Sequence, residues 1–170
     1  MNMVTELRPA AVLDGEDVYQ MLQCLPSNEN GFMNPMAGKS REEFRAWLAR
    51  QVENAAKTEI EDGYRVPQAI YWLYREGRPV GMGKLRYFLT DALRLSGGHI
   101  GYAITPEARG TGCGTALLKG LLHEAALHGI DRALITVNNS NPASIRVALK
   151  CGGVIERVSE DHHYIWCDCK

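Results

Sequence analysis

The amino-acid sequence predicts a single mixed α/β domain spanning residues 1–170. Its 170 residues are a usual size for one domain, and runs with strand periodicity alternate with runs of helical periodicity. With 45% hydrophobic and 23% charged residues, the chain has an ordinary globular composition and enough apolar surface for a large core. Residues 99–137 read as strand, long helix and strand, a crossover that favours a locally parallel pair at the centre of the sheet.

The N-terminal part of the chain predicts one short strand and two helices. Residues 4–7 are the strand, and a helix that opens at Asp14 carries apolar residues at helical spacing. Residues 27–38 are rich in Asn, Gly, Met and Pro without any period, which predicts a loop. Ser40 and Glu43 form a capping box at the start of the second helix.

The hydrophobic period changes to that of strands in the middle of the chain. Residues 69–74 and 80–89 are joined by a Glu-Gly-Arg-Pro turn, which predicts an antiparallel hairpin. Gly81 and Gly83 within the second run indicate a bulge or a close approach by a neighbouring element. A further strand at residues 99–104 follows a glycine-containing turn.

The C-terminal part predicts two helices and three strands. Apolar residues mark one face of a long helix that stops at Gly129, and residues 133–137 form a short buried strand. Asn141 and the proline after it are the cap and first residue of another helix. Two last strands follow, at residues 154–158 and 163–167.

Composition excludes several classes of protein. A net charge of −1 gives no global positive field for a nucleic-acid partner, and no apolar run approaches the roughly 20 residues of a membrane helix. The first residues lack the pattern of a secretory signal, and five irregularly spaced cysteines fit a reduced, cytoplasmic protein better than a disulfide framework. The cysteine spacings also give no zinc motif, so we expect no metal.

A glycine-rich turn between a strand and the long helix predicts an anion site. Gly112 and Gly114 lack side chains, so an anion can approach the unpaired N–H groups of the first helical turn, where the helix dipole is positive. The side chains of Arg109 and Thr111 can add donors, and a diphosphate is the expected guest. A turn that merely permits tight strand–helix packing is the alternative. The whole turn consists of Arg109, Gly110, Thr111, Gly112, Cys113 and Gly114.

Two common phosphate motifs do not fit this turn. The dinucleotide motif needs a third glycine where this chain has Thr115 or Leu117. The nucleoside-triphosphatase loop needs Gly-Lys-Ser/Thr, which does not occur in the sequence.

The same residues resemble a known family. Residues 109–114 match the Arg/Gln-x-x-Gly-x-Gly/Ala signature of the GNAT superfamily of N-acetyltransferases, and residues 102–108 look like the central strand and proline-containing turn that precede it. Residues 141–145 and 150–152 are similar to the family's second motif, a helix beside the coenzyme. The predicted element order agrees with the family over most of the chain.

The resemblance implies a mostly antiparallel central sheet with helices on both faces and a parallel pair of strands that part in a V. Acetyl-CoA would lie in the V, with its pyrophosphate on residues 109–114. Its pantetheine arm would bond to the backbone near Ala103, Ile104 and Thr105, and an N–H near Ile104 would polarise the thioester carbonyl. The resemblance also assigns coenzyme contacts to Asn141 and Ser144.

The implied reaction is transfer of an acetyl group from acetyl-CoA to a primary amine, by direct attack in a ternary complex. The amine must be neutral to attack, which calls for a base, and His99 is our preferred candidate. In many family members a tyrosine that acts as general acid toward the thiolate stands where this chain has Ala148. Tyr102, Tyr164 or water would then protonate the leaving thiolate. Structural roles for His99 and both tyrosines remain open alternatives.

Other functional hypotheses compete with that of an acetyltransferase. The absence of the family tyrosine leaves a non-catalytic CoA-binding or sensor module as the main alternative, and a nucleotide-binding switch as a weaker one. The acceptor is expected to be a small-molecule or peptide amine, with Glu29 and Asn30 of the predicted loop as candidate contacts. Neither nucleic acid nor membrane is expected as a partner, and the chain is compatible with a monomer or a homodimer.

Overall fold

The structure, a computed structural model, describes residues 2–170 and shows a mixed α/β architecture. The strands are β1 (Thr5–Pro9), β2 (Asn28–Glu29), β3 (Phe32–Met33), β4 (Gln68–Arg75), β5 (Arg78–Arg86), β6 (Ile100–Ile104), β7 (Arg132–Asn138), β8 (Val154–Val158) and β9 (His162–Asp168). The α-helices are α1 (Glu16–Gln23), α2 (Arg41–Ala55), α3 (Asp91–Leu95), α4 (Cys113–Leu127) and α5 (Pro142–Lys150). A 3₁₀ turn covers Pro106–Ala108.

The strands form two main sheets whose ladders are antiparallel. The larger has the order β1-β4-β5-β6 and the smaller the order β7-β9-β8, while β2 and β3 make a separate hairpin. The predicted central pair, β6 and β7, shares no hydrogen-bonded ladder within residues 2–170. The two strands meet only near their first residues, where the His99 N–H donates to the Leu134 carbonyl at 2.8 Å.

The larger sheet is covered on both faces, as its alternating side chains require. On β4, residues Ala69, Tyr71 and Leu73 enter the core under α4, and the residues between them enter the core under α1 and α2. The predicted close approach at the β5 glycines is confirmed: a Cβ at Gly83 would lie 2.8 Å from a methyl carbon of Leu121. Helix α4 therefore packs directly on the β5 backbone.

Two segments differ from the sequence prediction. Residues 27–38 contain the β2–β3 hairpin rather than only loop, and α3 follows β5 where no helix was expected. Helix α3 has five residues, too few for a helical period to be recognised, although Thr90 caps it by accepting from the Leu93 N–H at 3.2 Å. The capping box at Ser40 and Glu43 is confirmed.

The described part of the chain contains no helix that is both long and apolar enough to cross a membrane. Across residues 2–170 there is also no group of three or more His, Cys, Asp or Glu side chains placed to hold a metal ion.

Candidate active site

Two cavities lie along β6, on the side where it separates from β7. The larger, the strand–helix cavity, has a volume of about 470 Å³ and lies between the end of β6, the turn that begins α4, and α5. The smaller, the hairpin cavity, has a volume of about 220 Å³ and lies between β6, β7 and the β2–β3 hairpin. Both cavities are lined by Tyr102, Asn141, Ser144, Glu29 and Asn30. The two predicted acceptor contacts, Glu29 and Asn30, thus face both spaces.

The register of β6 decides which backbone groups face the V. The Thr105 N–H donates to the Val80 carbonyl at 2.8 Å, so Thr105 and, by strand alternation, Ala103 direct their backbone groups to β5. Tyr102 and Ile104 therefore direct theirs into the V. Ala103 and Ile104 line the strand–helix cavity, whereas Thr105 is 1% exposed. The prediction of coenzyme bonds to the backbone is therefore wrong for the Thr105 N–H and, by the same alternation, for the backbone groups of Ala103, because these groups are already used within the sheet.

The glycine-rich turn presents the start of α4 to the strand–helix cavity. Gly112, with φ +87°, precedes the first turn, and Ala116 is the residue that donates back to its carbonyl, at 3.0 Å. The N–H groups of residues 112–115 accordingly have no acceptor inside the helix. Gly110, Gly112 and Gly114 line the cavity, so these donors and the positive end of the helix dipole lie in its wall.

The side chains of this turn are less available than the sequence suggested. The Thr111 hydroxyl donates to the Ala108 carbonyl at 2.5 Å, and Cys113 is 1% exposed within the core, so both residues can offer an anion only their backbone. Arg109 does line the cavity, but its Nε donates to the Ile104 carbonyl at 3.0 Å and a terminal nitrogen pairs with Glu29 at 2.6 Å.

Helix α5 adds cations that the sequence analysis missed. Arg146 and Lys150, four residues apart on one face of the helix, both line the strand–helix cavity opposite the turn. Their four-residue spacing within the second motif was a usable signal. At the start of the helix, the Asn141 side chain accepts from the Ser144 backbone N–H at 3.4 Å, which fixes the Asn141 side chain beside the cavity.

Tyr102 and Ser144 stand where the two cavities meet. The Tyr102 hydroxyl is 3.0 Å from the Ser144 hydroxyl oxygen, and both residues line both cavities. Burial raises the pKa of Tyr102 to about 12, so this phenol stays protonated throughout the neutral range and is a weaker acid than a free tyrosine. The family's tyrosine position, Ala148, is fully buried in the core instead.

The structure places Tyr164 outside both cavities. This residue is 4% exposed, its hydroxyl donates to the Leu95 carbonyl at 2.8 Å, and the Arg157 guanidinium lies 3.7 Å from its ring centroid. These contacts describe a packing residue with a satisfied hydroxyl, which does not favour the proposed acid role.

The contacts of His99 do not favour the role of base. Its Nδ1 accepts the Leu134 N–H at 2.9 Å, so the proton of the neutral ring is left on Nε2 and neither nitrogen has a free lone pair. Burial, with smaller contributions from Arg94 and Arg86, lowers the pKa of His99 to about 4. His162, by contrast, lines the hairpin cavity.

The hairpin cavity also contains two cations that the sequence analysis overlooked. Lys84 and Arg86 line it from β5, and the Lys84 ammonium donates to the Met33 carbonyl at 2.6 Å and lies 4.6 Å from the centroid of the Phe32 ring. The signal in the sequence was two charged residues alternating along a strand that otherwise belongs to the core, which places both on one face.

Together, the antiparallel sheets, the V between β6 and β7 and the helix start at its mouth define the fold of an acetyltransferase. Three solved structures share this architecture at low sequence identity. A GNAT family acetyltransferase from Streptococcus pneumoniae has a TM-score of 0.63 at 18% identity, over 98% of this chain and 100% of its own. The GNAT domain of PAT from S. lividans has a TM-score of 0.66 at 16% identity, over 96% and 90%. The yncA protein of Salmonella typhimurium, solved with its cofactor acetyl-CoA, has a TM-score of 0.59 at 16% identity, over 98% and 94%.

The chain belongs to the GNAT acetyltransferase family, because residues 5–154 match the family described as "Acetyltransferase (GNAT) domain". A curated relative, L-2,4-diaminobutyric acid acetyltransferase of Nocardia farcinica, is 46% identical over 43 residues, which are 25% of this chain and 22% of that protein. The matched segment thus spans about a fifth of that relative's length.

Proposed function

We propose that the protein transfers an acetyl group from acetyl-CoA to a primary amine, by direct attack in a ternary complex. The observation that carries this proposal is the meeting of two cavities at the hydroxyl groups of Tyr102 and Ser144. One cavity ends on a positively polarised helix start, and the other opens toward the β2–β3 hairpin. Two reactants entering from opposite sides would meet at this junction, and holding them together supplies much of the acceleration.

The residues of the strand–helix cavity fit acetyl-CoA, which would supply the acetyl group as a thioester. The N–H groups of residues 112–115 would hold the diphosphate, with Arg109, Arg146 and Lys150 adding positive charge. The backbone groups that Tyr102 and Ile104 direct into the V would bond to the pantetheine arm as an added strand does.

Within this proposal, Tyr102 is the proton donor to the departing sulfur. Its hydroxyl lies at the junction of the two cavities, and the Ser144 hydroxyl, 3.0 Å away, orients it. The Ile104 N–H, directed into the V, would polarise the acetyl carbonyl. We propose His162 in place of His99 as the acceptor of the amine's proton, because His162 lines the hairpin cavity and histidine suits proton transfer near neutral pH.

The test is release of CoA thiol that depends on an added amine, measured with acetyl-CoA and a broad panel of primary amines. Saturable release with some amine supports the enzyme. Firm binding of acetyl-CoA without turnover of any amine contradicts it and favours the non-catalytic CoA-binding module, to which the buried Ala148 at the family's tyrosine position points.

Three further expectations stay proposals. A cytoplasmic location is supported by the five cysteines, all of which are free thiols in the structure. A small-molecule acceptor is favoured over a peptide by the size of the hairpin cavity, about 220 Å³. Assembly as a homodimer is to be measured by light scattering.

A further inference from the structure

The floor of the hairpin cavity holds two cations that have no anionic partner among the described residues. Lys84 and Arg86 lie two residues apart on β5 and share one face. Lys84 bonds to the carbonyl of Met33, and Arg86 bonds through one terminal nitrogen to the carbonyls of Gly97 and Gly98, at 3.1 and 3.4 Å. Neither is within 4.0 Å of a carboxylate in residues 2–170.

The carboxylate that lines the same cavity does not neutralise this pair. Glu29 instead holds Arg109 at 2.6 Å, on the side of the strand–helix cavity. Partial burial of a charge without a partner is unfavourable, and it lowers the pKa of Lys84 to about 8, with Arg86 adding to the effect. Both side chains also retain unused N–H donors, because lysine has three and arginine five. The floor of the hairpin cavity therefore carries positive charge that no carboxylate of the described residues neutralises.

We propose that Lys84 and Arg86 bind a carboxylate of the acceptor, so that the substrate is a small amine that also carries a carboxylate. This inference rests on the proposed function and names the substrate class for the same site. The carboxylate would lie on the β5 cations, and the amine would extend toward Tyr102 and Ser144.

The geometry limits how far apart these two groups can be. Lys84 pairs in register with Gly101, the neighbour of Tyr102, and Lys84, Tyr102 and Ser144 all line this one cavity. The cavity volume of about 220 Å³ is below the roughly 300–1,000 Å³ of sites for drug-sized ligands. Both the carboxylate and the amine must belong to one compact molecule, of the size of a free amino acid.

The arrangement also helps the chemistry. Two positive charges near an ammonium group disfavour its charged form and so favour the neutral amine that attacks. The carboxylate of the substrate neutralises one of the two positive charges, and the other still disfavours the charged form of the amine.

The experiment compares amines in matched pairs that differ only by the carboxylate: L-lysine with cadaverine, L-ornithine with putrescine, and L-2,4-diaminobutyrate with 1,3-diaminopropane. With acetyl-CoA saturating, kcat/KM from thiol release is expected to be at least tenfold higher for the carboxylate-bearing member of an accepted pair. Equal or higher values for the diamines would overturn the inference while leaving the acetyltransferase intact.

Variants then locate the effect. Lys84→Met and Arg86→Gln remove one charge each, and we expect each to raise KM for the carboxylate-bearing amine about tenfold, to erase the preference over the diamine, and to leave the Kd of acetyl-CoA within twofold. Lys57→Met, at an exposed lysine outside both cavities, is the control. A preference that survives both cavity variants would assign carboxylate binding elsewhere and overturn the proposal.

A binding measurement separates this inference from the proposed reaction. If no amine is turned over, calorimetry of the three amino acids with the CoA-bound protein still decides: binding that is lost in Lys84→Met and kept in Lys57→Met supports the anion site. No binding of any of the three, or binding that is equal in Lys84→Met, overturns it.

Discussion

Single side chains in this protein show how burial changes the use of a titratable group. His99 and Tyr102 are separated by two residues, yet burial lowers the pKa of the first to about 4 and raises that of the second to about 12. Both shifts favour the neutral form. For His99 the neutral form accepts a backbone hydrogen bond, whereas for Tyr102 it retains a proton beside Ser144.

The lowered pKa of His99 predicts an acid-sensitive contribution to stability. The folded state binds this proton less well than the unfolded state, so the contribution is complete above pH 6.5 and is lost as the pH falls from 6.5 toward about 4. Between pH 7.5 and pH 5 the loss is about 2 kcal/mol. His99→Asn, which can still accept the Leu134 N–H but cannot be protonated there, should lack this loss in urea unfolding.

Measuring the activity of the His99→Asn variant provides the control for the structural role of His99. If His162 is the proton acceptor, His162→Asn should lower kcat/KM by roughly 10²-fold and His99→Asn by less than fivefold at pH 8. A large activity loss confined to His99→Asn would restore it as the base, and an unchanged pH dependence of stability in His99→Asn would contradict the structural role.

The two predicted tyrosines form a matched pair for the proton donor. Tyr102→Phe should lower kcat by roughly 10²-fold with little change in the Kd of acetyl-CoA, because only the hydroxyl at the cavity junction is removed. Tyr164→Phe should leave kcat within twofold and lower the free energy of unfolding by about 1 kcal/mol, since the Leu95 carbonyl loses its donor. Stopped-flow thiol release and urea unfolding measure the two effects. Equal kcat losses in both variants would exclude a specific role for Tyr102.

The anion site at the start of α4 can be tested with two variants that have the same shape and differ in charge. Gly112→Asp and Gly112→Asn share a size and the ability to adopt positive φ, so their difference isolates the charge next to the diphosphate. We expect the Asp variant to bind acetyl-CoA at least tenfold more weakly than the Asn variant in low-salt calorimetry, with a smaller ratio at high salt. Equal affinities would show that the diphosphate lies elsewhere.

The strands and helices of this protein are positioned by a few close approaches of backbone. Gly98 lies where β6 and β7 begin, and a Cβ there would collide with the Leu134 carbonyl. The absence of a side chain at Gly98 therefore lets β6 and β7 approach each other closely at the narrow end of the V. This close approach was not recognisable in the sequence, where Gly98 was only part of a turn before a strand.

This close approach predicts a difference between two glycines with positive φ. Gly77, with φ +79°, has nothing within 4 Å of an added Cβ, so Gly77→Ala should cost about 1 kcal/mol of backbone strain alone. Gly98→Ala, with φ +60°, carries similar strain plus the collision, and we expect a loss of at least 3 kcal/mol in urea unfolding. Equal losses would mean that the two strands can separate without penalty at that end.

The hairpin of β2 and β3 illustrates the limit of prediction for short elements. Each of its strands has two residues, and its position over the V depends on contacts from distant elements, such as Lys84 to the Met33 carbonyl and Arg109 to Glu29. Local composition predicted a loop there, because no period can be read in two residues.

In the whole molecule, both sheets contribute to one core, so a ligand bound in the V should stabilise the entire domain. Leu85 and Ile100 of the larger sheet share a cluster with Ile135 and Ile165 of the smaller one. Acetyl-CoA at 100 times its Kd should add about 2.7 kcal/mol and raise the Tm by roughly 5–10 °C in a single transition. ATP or GTP at equal concentration should shift the Tm less; a larger shift would favour the nucleotide-binding switch.

The sequence by itself determined the order of most elements, the capping box, the glycine-rich turn and the family, because each depends on neighbouring residues or a local period. Only the tertiary structure decided which of those residues can act. The Thr105 N–H and the His99 Nδ1 are engaged across strands, while the hydroxyl groups of Tyr102 and Ser144 meet from β6 and α5. The place of Lys84 and Arg86 in a cavity likewise follows only from the tertiary structure, in which the β2–β3 hairpin covers them. Burial and hydrogen-bond partners between distant segments set these roles, and neither is a property of the local sequence.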